Sequence, residues 1–164
     1  MSRFPIAAGP VPDALEGIVA LHADYYRPHW GFGPFFQDKV ARDLGDFLGR
    51  YDPARDGLWT VSADGQIAGS VAIDGSKART VGAHLRWFIV EDRLQGQGLG
   101  GQLLEAAMDH CRACGCRRVY LWTFAGLDPA RHLYERKGFV LAEELTGSQW
   151  GTEVLEQRFE WTAE

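Results

Sequence analysis

The sequence has no apolar run that approaches the roughly 20 residues needed to span a membrane. It also lacks the continuous apolar core of a secretory signal, because Arg3 and Pro5 interrupt the start of the chain. An excess of basic residues is missing too: 17 Lys and Arg stand against 22 Asp and Glu, for a net charge of -5. These absences predict a cytoplasmic protein without a nucleic-acid or membrane partner, and they leave room for a local basic pocket that takes a phosphorylated ligand.

Cysteine is scarce, and its placement argues against a disulfide framework. The three cysteines, Cys111, Cys114 and Cys116, are odd in number and lie close together. With His110 they could suggest a metal site, but they span a predicted helix end and a turn, and no second pair of ligands lies nearby in the sequence. We therefore expect reduced thiols and no metal.

Internal repeats and low-complexity segments are absent as well, and the length suits a single domain over residues 1–164. Apolar periodicity predicts helices at 13–26, 35–48, 99–113 and 128–137, and strands at 58–62, 67–73, 84–90, 118–124, 139–145 and 154–161. The order is two helices, three strands, a helix, a strand, a helix and two strands. This alternation predicts one mixed α/β (α+β) domain.

Turn chemistry fixes several of these boundaries. Asp64-Gly65 between two strand-like runs is a strong hairpin signal. The prolines and glycines of residues 28–34 predict a break between the first two helices. Asp128 followed by Pro129 is typical of a helix N-cap and first helical position.

A glycine-rich loop separates the third strand from the third helix. Glycines let backbone N–H groups approach a ligand closely, and a helix N-terminus favours an anion such as pyrophosphate. No Gly-Lys-Ser/Thr follows, so the loop is not a Walker A motif. The spacing fits Gly-x-Gly-x-x-Gly, but no βαβ unit precedes it, which argues against a Rossmann domain. The residues concerned are Gln95, Gly96, Gln97, Gly98, Leu99, Gly100 and Gly101.

Two motifs carry a family resemblance. Gln95, Gly98 and Gly100 match the Gln/Arg-x-x-Gly-x-Gly/Ala signature of the GNAT acetyltransferase superfamily, and residues 133–139 match its Leu-Tyr-Glu-x-x-Gly-Phe segment. The resemblance covers nearly the whole chain and implies a mostly antiparallel mixed sheet flanked by helices, with strands four and five splayed. It also implies acetyl-CoA as cofactor. Residues 83–88, 121–128, 150–153 and 156–159 further resemble the acetyltransferase half of bacterial MarR–GNAT fusion proteins; no winged-helix segment is present, so DNA binding is not expected.

The same resemblance places the cofactor. Phe88, Ile89 and Val90 would bind the pantetheine arm along the edge of the fourth strand, and the backbone N–H near Phe88 would face the thioester oxygen. The glycine loop would take the pyrophosphate. Leu127 stands where many relatives have an asparagine that contacts the pantetheine, so that side-chain contact is in doubt.

Tyr134 is the candidate general acid. By resemblance its phenol would lie near the cofactor sulfur and protonate the departing thiolate. The alternative is a tyrosine that caps the core with its hydroxyl at the surface.

His84 is the candidate general base, because it falls where some relatives carry one on the fourth strand. An imidazole with an ordinary pKa near 6.5 suits proton removal from an ammonium, directly or through water. A structural, hydrogen-bonded histidine is the equal alternative, and Glu91, Glu144 and a water chain are further candidates. A regular strand would place His84, Arg86, Phe88 and Val90 on one face.

The acceptor pocket is expected near Tyr26, Trp30 and Trp122, with His22, Tyr25 and His29 as further candidates. The expected function is acetyl transfer to a primary amine of a small molecule, peptide or protein. A CoA-binding sensor without turnover is the alternative, and a Rossmann-type nucleotide-binding domain is a third reading. The oligomeric state stays open, with a homodimer as one candidate.

Overall fold

The computed structural model describes residues 4–164 and contains one seven-stranded sheet in the order β1-β2-β3-β4-β5-β7-β6. All neighbours are antiparallel except β4 and β5, which confirms the expected mixed, mostly antiparallel class. Residues 1–3, on which the expectation about a secretory signal partly rests, lie outside the described residues. The elements are β1 (Ile6–Ala8), α1 (Ala14–Trp30), α2 (Pro34–Gly49), β2 (Gly57–Ala63), β3 (Gln66–Asp74), β4 (Ala83–Val90), a 3-10 turn (Asp92–Leu94), α3 (Leu99–Ala113), β5 (Arg118–Phe124), α4 (Asp128–Arg136), β6 (Val140–Gly147) and β7 (Val154–Thr162).

Helices cover both faces of the sheet, and the neighbouring residues Val71 and Ala72 of β3 show how. Val71 packs in a core cluster with Leu103 of α3, whereas Ala72 packs in a second cluster with Ile18 of α1 and Phe47 of α2. Successive side chains of a strand point to opposite faces, so α3 lies on one side and α1 with α2 on the other. Burial on both faces explains why β3 reads as a nearly continuous apolar run.

β1 is the strand that the sequence pattern did not predict. Its three residues pair with β2, and Ile6 lies opposite Val61. A strand this short, closed by Gly9 with a φ of 91°, offers too few positions for an alternating pattern. Its presence makes the strand before the glycine loop the fourth in the chain, as the family resemblance implies.

The first helix is longer than predicted, which corrects the break expected at residue 28. α1 continues through Pro28 to Trp30 and ends at Gly31, whose φ is 69° and whose N–H donates to the Arg27 carbonyl at 2.9 Å. A proline inside a helix removes one N–H donor, and here it does so only in the last turn. The left-handed glycine therefore ends the helix, not the proline.

Two predicted turns have different outcomes. Asp64 and Gly65 both have positive φ, 54° and 77°, and join β2 to β3 as the predicted hairpin. Asp128, predicted as an N-cap, is instead the first residue of α4; Leu127 holds the cap position and makes no side-chain capping bond.

The cysteines are free thiols, with Cys111 and Cys116 buried and Cys114 exposed. Within residues 4–164 no group of three or more His, Cys, Asp or Glu side chains could hold a metal ion. None of the helices in the same range combines the length and apolar character that a membrane crossing requires.

β4 and β5 separate soon after they meet. Their parallel pairing is limited to Ala83 opposite Val119 and His84 opposite Tyr120. Beyond these pairs β5 continues along β7, while β4 runs on toward the glycine loop. The sheet is therefore split, as expected for strands four and five, and the split opens the site described next.

Candidate active site

A cavity of about 720 Å³ occupies the split between β4 and β5. It collects almost all the residues that the sequence assigned to a site; Gln97, Glu91 and Glu144 are not among those that line it. Glu91 instead pairs with Arg93, and Glu144 accepts a hydrogen bond from Gln157. The predicted residues that do line the cavity are His84 and Tyr134, Phe88, Ile89 and Val90, Gln95, Gly96, Gly98, Leu99, Gly100 and Gly101, Leu127, Tyr26, Trp30 and Trp122.

The glycine loop has the backbone shape that an anion site requires. Gly96 and Gly98 have φ of 81° and 82°, and Gly98 starts α3 without any side-chain capping bond. The first N–H groups of α3 therefore have no intrahelical partner and point toward a ligand position. A Cβ on Gly100 would lie 3.0 Å from the Leu133 Cδ1, so a larger residue here would crowd the contact between α3 and α4. Gln95 ties the loop to β4, since its Nε2 donates to the Val90 carbonyl at 2.9 Å.

A bulge interrupts β4 beside the cavity. Ala72 of β3 lies opposite Arg86, but Ser70 lies opposite Ile89, so Trp87 and Phe88 together face one residue of β3. Trp87 has a φ of 49°, which is uncommon for a bulky side chain. Bulges interrupt the pairing of the ladder locally, so backbone groups near Phe88 become available to a ligand.

The bulge overturns the expectation that four alternate residues of β4 share one face. Arg86 forms an ion pair with Asp43 of α2, whereas Phe88 approaches the Gly100 position of α3, with its Cζ 3.4 Å from where a Cβ would stand. His84 and Arg86 thus face α2, and Phe88 and Val90 pack with the core cluster of α3. The extra residue switches the alternation, which a sequence pattern cannot reveal.

Tyr134 is buried and its ring lies 5.7 Å from that of Phe88. Its hydroxyl makes no hydrogen bond to any residue in the described part of the chain. Burial raises the pKa of Tyr134 far above its ordinary value, with a smaller contribution from Tyr26. The phenol therefore remains protonated and can donate a hydrogen bond to a group in the cavity, although the same burial makes it a weaker acid.

His84 stacks on Tyr120 of β5 with ring centroids 4.5 Å apart. Burial, with Arg86 as the next cause, lowers the pKa of His84 to about 3. The imidazole is therefore neutral near pH 7 and can accept a hydrogen bond. It is a much weaker base than the sequence-based argument assumed, because that argument started from a pKa near 6.5.

Aromatic side chains of α1 form the opposite wall. The Trp30 ring packs edge-on to Phe124 at 4.8 Å, and a Cβ on Gly126 would meet it at 2.4 Å. His22 lines the same wall and donates from Nδ1 to the Ile18 carbonyl at 2.8 Å. Burial lowers the pKa of His22 to about 4, so this imidazole is neutral as well.

Charged residues of α2 and β4 also line the cavity, and the sequence did not single them out. Lys39 pairs with Asp43 at 2.9 Å, and Arg86 lies 3.5 Å from Asp43 and 3.7 Å from Asp74. Lys39 and Asp43 are four residues apart on a helix, which in a sequence is typical of a solvent-exposed pair. Only the fold shows that they face the cavity.

The split sheet, the bulge in β4 and the glycine loop at the start of α3 define the class of the protein as a GNAT-type α/β fold. The model of the acetyltransferase (GNAT) family matches residues 15–139, so the chain belongs to that family.

Two proteins of known name and one solved structure show what this chain is similar to. The chain is 39% identical over 61 residues to glucosamine 6-phosphate N-acetyltransferase of Arabidopsis thaliana, a match covering 35% of this chain and 41% of that protein. It is 39% identical over 59 residues to spermine/spermidine N(1)-acetyltransferase of Bacillus subtilis, covering 35% and 39%. These matches span about two fifths of each relative. A Salmonella typhimurium protein solved with its cofactor acetyl-CoA has the same fold, with a TM-score of 0.74 and 16% identity over 99% of this chain and 95% of that one.

Proposed function

We propose that this protein, as one acetyltransferase domain, transfers an acetyl group from acetyl-CoA to a primary amine. The observation that carries the proposal is that one cavity brings together the glycine loop, the bulged edge of β4 and the buried phenol of Tyr134. Acetyl transfer from acetyl-CoA requires a site for the nucleotide pyrophosphate, free backbone N–H groups and a proton donor.

The residues present fit acetyl-CoA. The uncapped start of α3, with left-handed Gly96 and Gly98, would hold the pyrophosphate, and the β4 edge at Phe88, Ile89 and Val90 would hold the pantetheine arm. Leu127 lines the cavity as an apolar neighbour in place of an asparagine. When bound, acetyl-CoA supplies the acetyl group as an activated thioester.

Each polar group of the chain then has a role. The backbone N–H near Phe88 stabilises negative charge on the carbonyl oxygen. Tyr134 donates its proton to the leaving sulfur. His84 accepts a hydrogen bond from the amine or an intervening water, and its low pKa means that it orients the acceptor more effectively than it removes a proton. The proton that the amine nitrogen loses as the C–N bond forms and the C–S bond breaks passes to water in the cavity. Tyr26, Trp30 and Trp122 line the acceptor end.

A second candidate is a CoA-binding sensor without turnover. It is favoured by the weak basicity of His84 and by the position of Glu91 and Glu144, neither of which lines the cavity. The sensor would bind CoA and acetyl-CoA equally well and release no thiol with any acceptor.

A thiol-release assay over a panel of amines, run beside calorimetric titration with acetyl-CoA, separates the two functions. Acetyl-CoA binding with amine-dependent CoA release supports the enzyme. Binding without release from any amine supports the sensor. A chain that binds neither CoA nor acetyl-CoA contradicts both.

The names of two relatives refer to small amines, a phosphorylated amino sugar and polyamines, so a small-molecule acceptor is a reasonable first panel. We also propose a narrower relationship to the acetyltransferase half of MarR–GNAT fusion proteins, on the resemblance of residues 83–88, 121–128, 150–153 and 156–159.

A further inference from the structure

Arg86 is a half-buried cation of the cavity that makes no hydrogen bond to a described residue, whereas Arg136, another cation of the lining, is exposed. Its side chain is 20% exposed, lies on β4 and lines the cavity. Its contacts with Asp43 and Asp74, at 3.5 and 3.7 Å, are ion pairs without hydrogen-bond geometry, and its guanidinium lies 4.2 Å from the centre of the Trp87 ring. A guanidinium carries five N–H donors in a planar fork. Arg86 makes no hydrogen bond to any described residue with them.

The two carboxylates near Arg86 are already engaged by other cations. Asp74 accepts hydrogen bonds from Arg50 at 3.1 and 2.7 Å and from Ser76, and Asp43 accepts one from Lys39 at 2.9 Å. Burial lowers the pKa of Arg86, as expected for a charge that its neighbours compensate incompletely. Lys39, Arg50 and Arg86 together exceed the two carboxylates by one positive charge.

The other charged residues that line the cavity also have a positive net charge. Asp43 is the one carboxylate among the described residues that line the cavity, whereas Lys39, Arg86 and Arg136 are all cationic. This contrasts with the whole chain, whose net charge is -5. An acceptor with several ammonium groups would find a single carboxylate that is already paired with Lys39. An acceptor with a negative group would instead meet the Arg86 guanidinium, which makes no hydrogen bond to a described residue.

We infer that the acceptor amine carries an anionic oxygen group, a carboxylate or a phosphate, and that Arg86 binds it. This inference rests on the proposed acetyl transfer at the same site. A guanidinium fork matches both kinds of oxyanion through two parallel hydrogen bonds. Arg86 and Phe88 stand on either side of Trp87 at the bulge of β4, and both line the cavity. An anion a few bonds from the amine would therefore reach Arg86 while the amine lies near Phe88.

The first test compares matched acceptors that differ in one anionic group, with each kcat/KM expressed per unprotonated amine. L-Methionine is compared with L-methioninamide, and glucosamine 6-phosphate with glucosamine, each by CoA release under steady-state conditions. Arg86 recognition predicts that at least one anionic member has a kcat/KM about 10- to 100-fold above its neutral partner. The methionine pair reports a carboxylate site and the amino-sugar pair a phosphate site.

The second test assigns the preference to Arg86. Arg86→Gln should raise KM for the anionic acceptor and bring the ratio of kcat/KM between the anionic and neutral partners to within about twofold of one. Arg86→Lys keeps the charge and loses the fork, so it should restore part of the preference. The matched control is Arg55→Gln, because Arg55 pairs with buried Asp56 and does not line the cavity. It should leave both acceptors unchanged.

The outcomes separate this inference from the proposed function. Neutral acceptors that are used as well as anionic ones, or a preference that survives both Arg86 variants, overturns the inference and leaves acetyl transfer intact. CoA release from no acceptor, with acetyl-CoA still bound, overturns both. Thermal unfolding shows whether Arg86→Gln is folded. If it is not, the Arg86→Lys variant and the wild-type acceptor pairs decide the result.

Discussion

The hydroxyl of buried Ser70 donates a 2.7 Å hydrogen bond to the carbonyl oxygen of Trp87, the residue that has a φ of 49° at the bulge of β4. The bond fixes the direction of the peptide that links Trp87 to Phe88. The N–H of that same peptide is the group assigned to the thioester oxygen. Ser70 therefore acts as a positioning residue, because it holds the donor without touching the reactants.

Ser70→Ala should lower kcat by about 10-fold or more and change acetyl-CoA affinity little, because the bulge loses its anchor while the glycine loop is intact. Unfolding should also become easier by about 1–3 kcal/mol, the cost of an unpaired buried carbonyl. Steady-state kinetics measures the change in kcat, and urea unfolding measures the change in the free energy of unfolding. Exposed Ser62→Ala is the control; equal kcat in both variants would show that Ser70 does not position the donor.

Tyr134→Phe removes one hydroxyl and keeps the ring in the core. We expect kcat to fall by about 10²-fold with an unchanged acetyl-CoA dissociation constant. Thermal stability should stay near wild type, because the hydroxyl makes no hydrogen bond to a described residue. An unchanged kcat would show that the thiolate leaves without a proton from Tyr134.

The pH dependence of kcat/KM should follow the acceptor amine and not His84. His84 has a pKa of about 3, so it is neutral throughout the range from pH 5 to 9 and cannot produce a rising limb there. We expect the limb to move with the pKa of acceptors of different basicity. His84→Gln should lower the plateau about 10-fold without shifting the limb. A limb near pH 6.5 that disappears in His84→Gln would restore His84 as the general base.

Charge at the glycine loop should decide cofactor binding. Asp and Asn are nearly equal in size, and both tolerate positive φ better than most residues, so Gly98→Asp and Gly98→Asn differ mainly in one negative charge. Titration calorimetry should show acetyl-CoA binding about 10-fold or more weaker for Gly98→Asp than for Gly98→Asn. Equal affinities would exclude a pyrophosphate site beside Gly98.

Acid should destabilise the fold partly through His22. Its pKa in the folded chain, about 4, is below the ordinary value of 6.5, so the unfolded chain takes up the proton first as pH falls. The contribution of His22 is fully present above pH 6.5 and is lost as pH decreases toward 4, by up to about 3 kcal/mol. His22→Asn keeps an N–H donor near the Ile18 carbonyl and cannot become charged. Urea unfolding at pH 7 and pH 4.5 should show a smaller pH effect in the variant; parallel curves would remove His22 as a cause.

Sequence motifs predicted the parts of the site that are formed by continuous segments of the chain. The glycine loop and the segment from Leu133 to Phe139 are continuous in the chain, so both could be matched to family motifs, and that resemblance implied a cofactor site and a proton donor. Gly98 and Tyr134 line one cavity as that argument expected.

The features of the site that the sequence did not predict depend on contacts between segments that are distant in the chain. The bulge at Trp87 exists through the register with Ser70 and Ala72, and no residue type near Trp87 announces it. The low pKa of His84 comes from burial and from Arg86, neither of which can be read from residue spacing. Arg86 and Asp43 are separated in the chain by the end of α2 and the whole of β2 and β3, so their contact at the cavity follows only from the fold.

The short contact between β4 and β5 also has a mechanical consequence. Only Ala83–Val119 and His84–Tyr120 join the part of the sheet from β1 to β4 with the part from β5 to β7. The sheet therefore consists of two smaller sheets that share a short contact. Beyond His84, some amide hydrogens of β4 face the gap, and no strand partner slows their exchange with solvent. A ligand lying in the gap would take the place of the missing strand, and it would stiffen the molecule across the line where it is weakest.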